Sequence, residues 1–147
     1  MYQIFLITWL VCSMFVLPMS ASATPASLPP CPDTPNCVSS QAGDVEPFRF
    51  SGPAGEAWRR LIEAVKSLKR SRLVEQSDRY LHAEITSRVF RFVDDLQCLL
   101  LPDQQLIQVR SASRVGYSDL GVNRRRVEAL RNIWQQKSDS ESPDETD

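Results

Sequence analysis

The chain has 147 residues, of which 42% are hydrophobic and 24% are charged, which suits a single globular domain. This length allows a hydrophobic core that does not depend on metal ions or on several disulfides. The net charge of -1 and the sequence pI of about 5.9 argue against a nucleic-acid-binding protein.

The charges are unevenly distributed along the chain. Residues 138–147 contain five acids and no base, so the remainder carries 17 basic against 13 acidic residues, a net charge of +4. We expect this acidic tail to be disordered, because it has little apolar surface to bury. Residues 110–137 contain seven bases and two acids. This stretch would favour an anionic partner, although a solvated helix face with local ion pairs would show the same pattern.

The first 23 residues have the pattern of a secretory signal. Residues 4–17 are mostly apolar, about as long as a signal-peptide core and too short for a comfortable membrane span. Small residues at positions 21–23 predict cleavage before Thr24, which would deliver the protein to the periplasm or cell envelope. No Lys or Arg precedes the apolar run, so an uncleaved membrane anchor is the alternative.

Residues 24–44 form a proline-rich segment that should be extended, because proline fixes φ and lacks a backbone donor. The segment contains Cys31 and Cys37, which in an exported protein can close a small disulfide loop. Metal binding by this pair is disfavoured, since two cysteines and one distant histidine supply too few ligands for structural zinc. Cys98 lies in an apolar run and is expected to be a buried free thiol.

The remaining residues, 45–137, are predicted to form one domain that includes two amphipathic helices. Apolar residues recur every three or four positions over residues 54–69 and 120–136. Asp119 or the serine before it can cap the second helix. Asn123 would then lie on the inward side of this helix and need hydrogen-bond partners there.

Between the helices the apolar residues alternate, which predicts strands. In residues 80–86, for example, Leu81, Ala83 and Ile85 would face one way and His82 the other. Short consecutive strands favour an antiparallel meander with one solvated face. We therefore predict a two-layer α+β fold in which about four strands pack one face against the two helices. The predicted strands are residues 73–74, 80–86, 89–93, 96–101 and 106–111, with an edge strand or extended arm at 45–50.

Asp94 and Asp95 interrupt this alternation. Adjacent acids are unfavourable in a strand unless they lie at a turn, at a bulge or beside a charged partner. We expect either a turn at this point or a contact with the arginines that follow. In the second interpretation both carboxylates join one polar cluster at the junction of the last strand and the closing helix.

The junction itself, residues 109–126, contains five of the seventeen Lys and Arg residues. Three of them, at positions 124–126, lie near the start of the closing helix, where the positive end of the macrodipole disfavours cations by a few tenths of a kcal/mol each. An anion is therefore expected nearby, either Asp94, Asp95 or Asp119, or the carboxylate or phosphate of a ligand. The candidate ligand-binding residues are Arg88, Asp94, Asp95, Arg110, Arg114, Asp119, Asn123 and Arg124.

Catalytic patterns are weak, and we predict no catalytic residue, metal ion or cofactor. His82 is the only histidine. It could act as a base for Ser111 or Ser113, but a lone histidine in a strand is more often structural. The sequence contains neither a nucleophile elbow nor a phosphate-binding glycine loop.

Four segments of the chain, residues 31–40 (CPDTPNCVSS), 80–84 (YLHAE), 90–95 (FRFVDD) and 110–128 (RSASRVGYSDLGVNRRRVE), resemble the uncharacterised DUF1499 family, a domain of unknown function. The resemblance covers residues 31–134. Proteins that resemble this family are typically bacterial, and some have export signals, so the resemblance implies a bacterial protein. Relatives also occur in chloroplasts. The resemblance implies no activity, substrate or cofactor.

These observations predict a non-enzymatic envelope module that binds an anionic small molecule, a lipid headgroup or a protein partner through an Arg/Asp cluster. One alternative is a hydrolase or lyase that uses Asp94 or Asp95 as acid or base, with arginines stabilising developing charge. A second is a purely structural protein whose polar motif is a folding network. Membrane anchoring is expected only if the secretory signal at residues 1–23 is not cleaved, and no nucleic-acid partner is expected.

Overall fold

The computed structural model describes residues 24–88 and 90–141, the side chains of residues 139–141 excepted. The predicted leader at residues 1–23 and the last six residues of the acidic tail lie outside the described residues.

The fold is α+β, as the apolar patterns predict. The sheet is antiparallel, with strand order β1-β6-β5-β4-β3, and β2 also pairs with β6. In chain order the elements are β1 (Cys37–Ser39), β2 (Phe48–Arg49), α1 (Ala54–Ser67), β3 (Ser71–Gln76), β4 (Tyr80–Thr86), β5 (Val93–Leu101), a 3-10 turn (Pro102–Gln104), β6 (Leu106–Ser113) and α2 (Val122–Glu141).

The sheet has six strands rather than about four, because the segment before α1 contributes two short ones. β1 pairs with the end of β6 and β2 pairs with its beginning. The proline-rich segment is thus part of the domain. Cys31 and Cys37 form a disulfide with a Cα–Cα distance of 5.6 Å. The preceding Leu28 packs against Tyr80 and Leu99 on the outer face of the sheet, opposite the helices.

Residues 90–92 are not a strand, so the strand predicted over residues 89–93 is wrong. β4 ends at Thr86, and β5 begins at Val93 after a loop. The turn considered for Asp94 and Asp95 is also wrong, because both residues lie inside β5. The strand tolerates these adjacent acids because each carboxylate pairs with an arginine. This contact was the second interpretation of the sequence.

Both helices cover the inner face of the sheet. Trp134 of α2 meets Phe48 edge-on, with ring centroids 5.5 Å apart, and its indole Nε1 donates to Ala57 O of α1 at 3.2 Å. In β4 the three positions that the alternation assigned to the core are buried, and Tyr80 is buried as well, on the outer face against Leu28. The buried hydrophobic residues lie between Leu28 and Trp134, so a chain that begins at Thr24 contains the whole described core.

The second helix begins and ends later than predicted. Leu120 and Gly121 precede it with φ of 52° and 77°, values outside the helical region, so the helix begins at Val122. It continues to Glu141, four residues into the tail that was predicted to be disordered from residue 138.

Candidate functional site

The side chains of Asp94 and Asp95 project from opposite faces of the sheet, because successive side chains of a strand alternate. Asp94 is buried on the helix side, whereas Asp95 lies on the outer face. The single cluster predicted for the two carboxylates is therefore wrong. The structure contains an inner cluster around Asp94 and an outer cluster around Asp95, each with its own arginine.

The inner cluster lies between β5, β6 and the first turns of α2. Arg126 Nη2 donates to Asp94 Oδ2, and the two side chains are 9% and 6% exposed. Arg126 Nη1 donates to Ser111 Oγ at 2.9 Å. Asn123 is fully buried, as its predicted inward position requires, and accepts from Ser111 Oγ at 2.7 Å while donating to Asn36 O at 2.9 Å. The internal anion expected beside the arginine run is thus Asp94.

The outer cluster joins Asp95, His82, Arg114, Glu84 and Arg72. Arg114 donates to Asp95 through Nε at 3.0 Å and Nη2 at 2.7 Å, and Nη2 also donates to Glu84 Oε1 at 2.7 Å. His82 Nε2 lies 2.7 Å from Asp95 Oδ1, and Arg72 Nη2 donates to Glu84 Oε2 at 2.5 Å. Two carboxylates and three basic side chains are therefore paired with one another across three strands.

Hydrogen bonding controls the protonation of this outer cluster. Burial raises the pKa of Asp95, but hydrogen bonds from Arg114 and His82 outweigh it and bring that pKa below its ordinary value. Hydrogen bonds from Arg114 and Arg72 lower the pKa of Glu84. Both carboxyls stay ionised at neutral pH, which makes Asp95 a poor general acid and a weak base.

His82 cannot serve as a base for Ser111 or Ser113. The histidine lies on the outer face with Asp95, whereas the two serine hydroxyls contact Asn123 in the inner cluster. The sheet separates the ring from both hydroxyls, so this catalytic alternative is wrong.

Three further candidates from the sequence lie apart from one another. Arg110 is half-buried on the outer face, donating to Gln97 Oε1 at 3.0 Å, and burial lowers its pKa. Arg124 donates to Asp44 O at 2.5 Å. Arg88 is exposed in the loop after β4.

Asp119 caps α2, as its position predicted. Its carboxylate accepts from Gly121 N at 2.9 Å and from Asn123 N at 2.7 Å. Burial raises the pKa of Asp119, but these backbone donors bring it below its ordinary value. The eight candidates therefore do not form one site. The hydrogen bonds and ion pairs described for them are made to other residues of the same chain.

A different feature has the shape of a binding site. A cleft of about 440 Å³ opens between the loop at residues 87–92 and the loop at residues 114–121. Asp94 and Asp119 reach its wall, but each is already bound as described above. We call this the apolar cleft, after its apolar lining residues, which are Phe90, Phe92, Val115, Leu120 and Val122.

Exposed hydrophobic side chains concentrate around this cleft. Seven large hydrophobic side chains among the described residues are exposed, and six of them belong to these two loops or to the start of α2. Phe90 is 74% exposed, Tyr117 72% and Leu120 85%. The seventh, Val74, lies on β3. Scattered exposed hydrophobics are ordinary, but a contiguous group marks an interaction site.

A cationic groove adjoins the apolar cleft and shares Ser87 and Val122 with it. Arg70 and Arg125 donate to the backbone oxygens of Thr86 and Leu120. Arg126 also lines this groove and pairs with Asp94. Within the part of the chain that the structure describes, no carboxylate pairs with any of the other cations. We call it the basic groove, and these other cations are Lys69, Arg70, Arg88, Arg91 and Arg125.

Sequence reasoning found Arg88 but missed the cleft. Residues 90–92 were assigned to a strand, and Leu120 to the apolar face of a helix that begins two residues later. The available signal was the placement of apolar residues next to Gly116 and Gly121 in a segment otherwise rich in turn-forming residues.

Residues 24–88 and 90–141 contain no group of three or more His, Cys, Asp or Glu side chains placed to hold a metal ion. Over the same residues, no helix combines the length and the apolar character needed to cross a bilayer.

Comparison with known proteins agrees with the resemblance of the motifs. No curated protein matches the sequence. The model of a family described as a protein of unknown function, DUF1499, matches residues 27–133. The match includes the disulfide, all the strands, both polar clusters and the apolar cleft. The chain therefore belongs to the DUF1499 family.

Proposed function

We propose that the protein is a non-enzymatic binding module for an amphipathic anion, with the apolar part of the ligand in the apolar cleft and its acidic group in the basic groove. The observation that carries this proposal is the gathering of exposed hydrophobic side chains around one cleft, beside cations that form no ion pair with a carboxylate of the described residues. Pockets for small molecules are typically apolar with a few polar groups that fix orientation.

Charge determines the orientation of the ligand in this proposal. Asp94 lines the cleft, so an acidic group would be repelled there despite the pairing of Asp94 with Arg126. Arg88 and Arg91 lie in the loop that separates the cleft from the groove. Guanidinium groups bind carboxylates and phosphates through paired hydrogen bonds. The acidic group therefore belongs on the groove side.

The geometry favours binding over acid–base catalysis by the aspartates. Asp94 is bound by a buried guanidinium, and Asp95 is held ionised by Arg114 and His82. A general acid or base works best with a pKa near the working pH, whereas the pKa of Asp95 is shifted away from it. The two polar clusters are better explained as folding networks that support the loops around the cleft.

Export to the cell envelope is also part of the proposal. The disulfide between Cys31 and Cys37 suits an oxidising compartment, because cytosolic thiols are kept reduced. N-terminal sequencing of protein recovered from its native cells tests this. A mature chain that begins at Thr24 is expected, and a chain that still begins at Met1 would contradict cleavage.

Calorimetric titration of chain 24–147 with dodecyl phosphate, below its micelle-forming concentration, tests ligand binding. Saturable binding of one molecule per chain is expected. Phe92→Ser should weaken it about fivefold, because burying half of a phenylalanine is worth about 1 kcal/mol. Arg88→Gln should weaken it by a similar factor, because a charge-assisted contact is lost.

Matched control variants distinguish binding at the site from nonspecific binding to the protein surface. Val74→Ser and Arg79→Gln remove an exposed hydrophobic and an exposed cation that lie away from the cleft and groove. Both should leave the affinity unchanged. Non-saturable uptake, or equal losses in the controls and the site variants, would contradict the proposal.

A further inference from the structure

We propose that the end of the domain with the apolar cleft docks on the surface of an anionic bilayer, inserting its two loop tips among the lipid headgroups. This inference rests on the proposed function and names the source of the amphipathic anion, namely a lipid in a membrane rather than a free molecule.

The most exposed side chains extend beyond the cleft. Phe90 and Leu120 lie on its rim, one on each loop, and Tyr117 is nearly as exposed without lining the cleft. The ring of Phe90 stacks on that of Phe92 with centroids 5.5 Å apart, so the two aromatic side chains form one apolar tip. A small ligand seated in the cleft would leave Tyr117 in water. A bilayer surface would cover all of these side chains at once.

The charges at this end match a membrane of anionic lipids. The cations of the basic groove border the same loop that carries Phe90, and Arg91 lies between the two phenylalanines in sequence. The acids nearby are engaged, Asp94 by Arg126 and Asp119 as the helix cap. Apolar side chains that enter the interface and cations that meet lipid phosphates are the two contributions that hold a peripheral protein on a membrane.

The topology places both loops at one end of the sheet. The first loop follows β4 and the second follows β6, which runs parallel to β4 on the other side of β5. The tips are thus held by the central strands and can meet a flat surface together. The disulfide loop borders the second loop, because Asn36 Nδ2 donates to Gly116 O at 2.6 Å, but Phe90, Tyr117 and Leu120 remain exposed.

Vesicle co-sedimentation of chain 24–147 tests the proposal, since this chain lacks the apolar leader that would bind membranes by itself. Binding is expected to vesicles with one-third phosphatidylglycerol and to be weak with phosphatidylcholine alone. Phe90→Ser with Leu120→Ser should lower the partition coefficient at least about tenfold. Arg88→Gln with Arg91→Gln should lower it roughly twenty-five-fold, at about fivefold for each cation.

Controls and a second readout keep the test decisive. Val74→Ser with Arg79→Gln should bind vesicles as the parent does, and all variants should melt within a few degrees of it because the sites are exposed. In a Tyr117→Trp variant the new indole should shift its emission to the blue when vesicles are added. Trp58 and Trp134 are buried already and should change little.

The outcomes distinguish the two proposals. If dodecyl phosphate binds one to one but anionic vesicles do not, the proposed function stands and bilayer docking is overturned. If vesicles bind without saturable binding of dodecyl phosphate, docking stands and the cleft is not a ligand site. Equal vesicle binding by the parent and the Phe90→Ser/Leu120→Ser variant overturns docking, because only nonspecific charge attraction would then remain.

Discussion

Replacement of Asp94 by Asn should destabilise the protein far more than the same replacement of its neighbour Asp95. The side chains of Asp94 and Arg126 are 6% and 9% exposed, so Asp94→Asn leaves a buried guanidinium without its counter-charge. Breaking a buried ion pair on one side costs about 3–5 kcal/mol. The remaining amide oxygen can still accept a hydrogen bond, which places the expected loss near 3 kcal/mol.

Asp95→Asn should cost about 1 kcal/mol or less. Its partner Arg114 has a side chain that is 43% exposed and that keeps its contact with Glu84. Ion pairs in contact with solvent contribute between about 0 and 1 kcal/mol. Since a domain of this size has a free energy of unfolding of about 5–15 kcal/mol, the two variants should differ clearly.

Urea denaturation of chain 24–147, followed by tryptophan fluorescence, measures both losses. The double variant Asp94→Asn with Arg126→Gln should recover part of the stability, because it removes the uncompensated charge together with its partner. The reasoning is refuted if Asp95→Asn lowers the free energy of unfolding as much as Asp94→Asn does. It is also refuted if the losses of the single variants Asp94→Asn and Arg126→Gln simply add in the double variant.

Three further predictions concern the cysteines and acid stability. Cys98 is fully buried, and burial raises its pKa to about 12, so it should react with a thiol reagent at mildly alkaline pH only when urea unfolds the chain. Replacing Cys31 and Cys37 by Ser should lower the free energy of unfolding by about 2 kcal/mol in urea titrations, the chain-entropy contribution of a short loop; an unchanged midpoint would contradict it. Asp95 and Glu84 have pKa values lowered by folding, so their stabilisation is present above the unfolded-state pKa of about 4 and is lost as the pH falls through the folded-state values. Melting temperatures between about pH 7 and about pH 3 should fall at the acid end, and less steeply in Asp95→Asn than in the parent.

The periodic parts of the chain were predictable, since burial of one face leaves a repeating pattern. Residues 80–86 form the predicted strand, and Asn123 lies on the inward side of α2 with the hydrogen-bond partners that it needs. The short strand β1 was not predicted, because three residues are too few to show a period, whereas β2 lies within the edge strand or extended arm predicted over residues 45–50. Their pairing depends on β6, which is distant in sequence.

The candidate site was predictable only in its chemistry. An anion beside the arginine run was expected, and Asp94 is that anion. The error lay in joining Asp94 and Asp95, although the alternation that assigned Leu81 and His82 to opposite faces of β4 also separates two adjacent acids in β5. Because a turn at Asp94 and Asp95 was also considered, the rule that adjacent residues of a strand face opposite sides was not applied to them.

The amino-acid sequence by itself determined the α+β class, the two helices, the disulfide pair and the family, because local periodicity, cysteine spacing and contiguous motifs are properties of neighbouring residues. Only the tertiary structure decided that loops 87–92 and 114–121 meet at one end of the sheet, with exposed aromatic and aliphatic side chains beside the cations of the basic groove. That meeting depends on β4 and β6 flanking β5, a pairing between distant residues that no local pattern records.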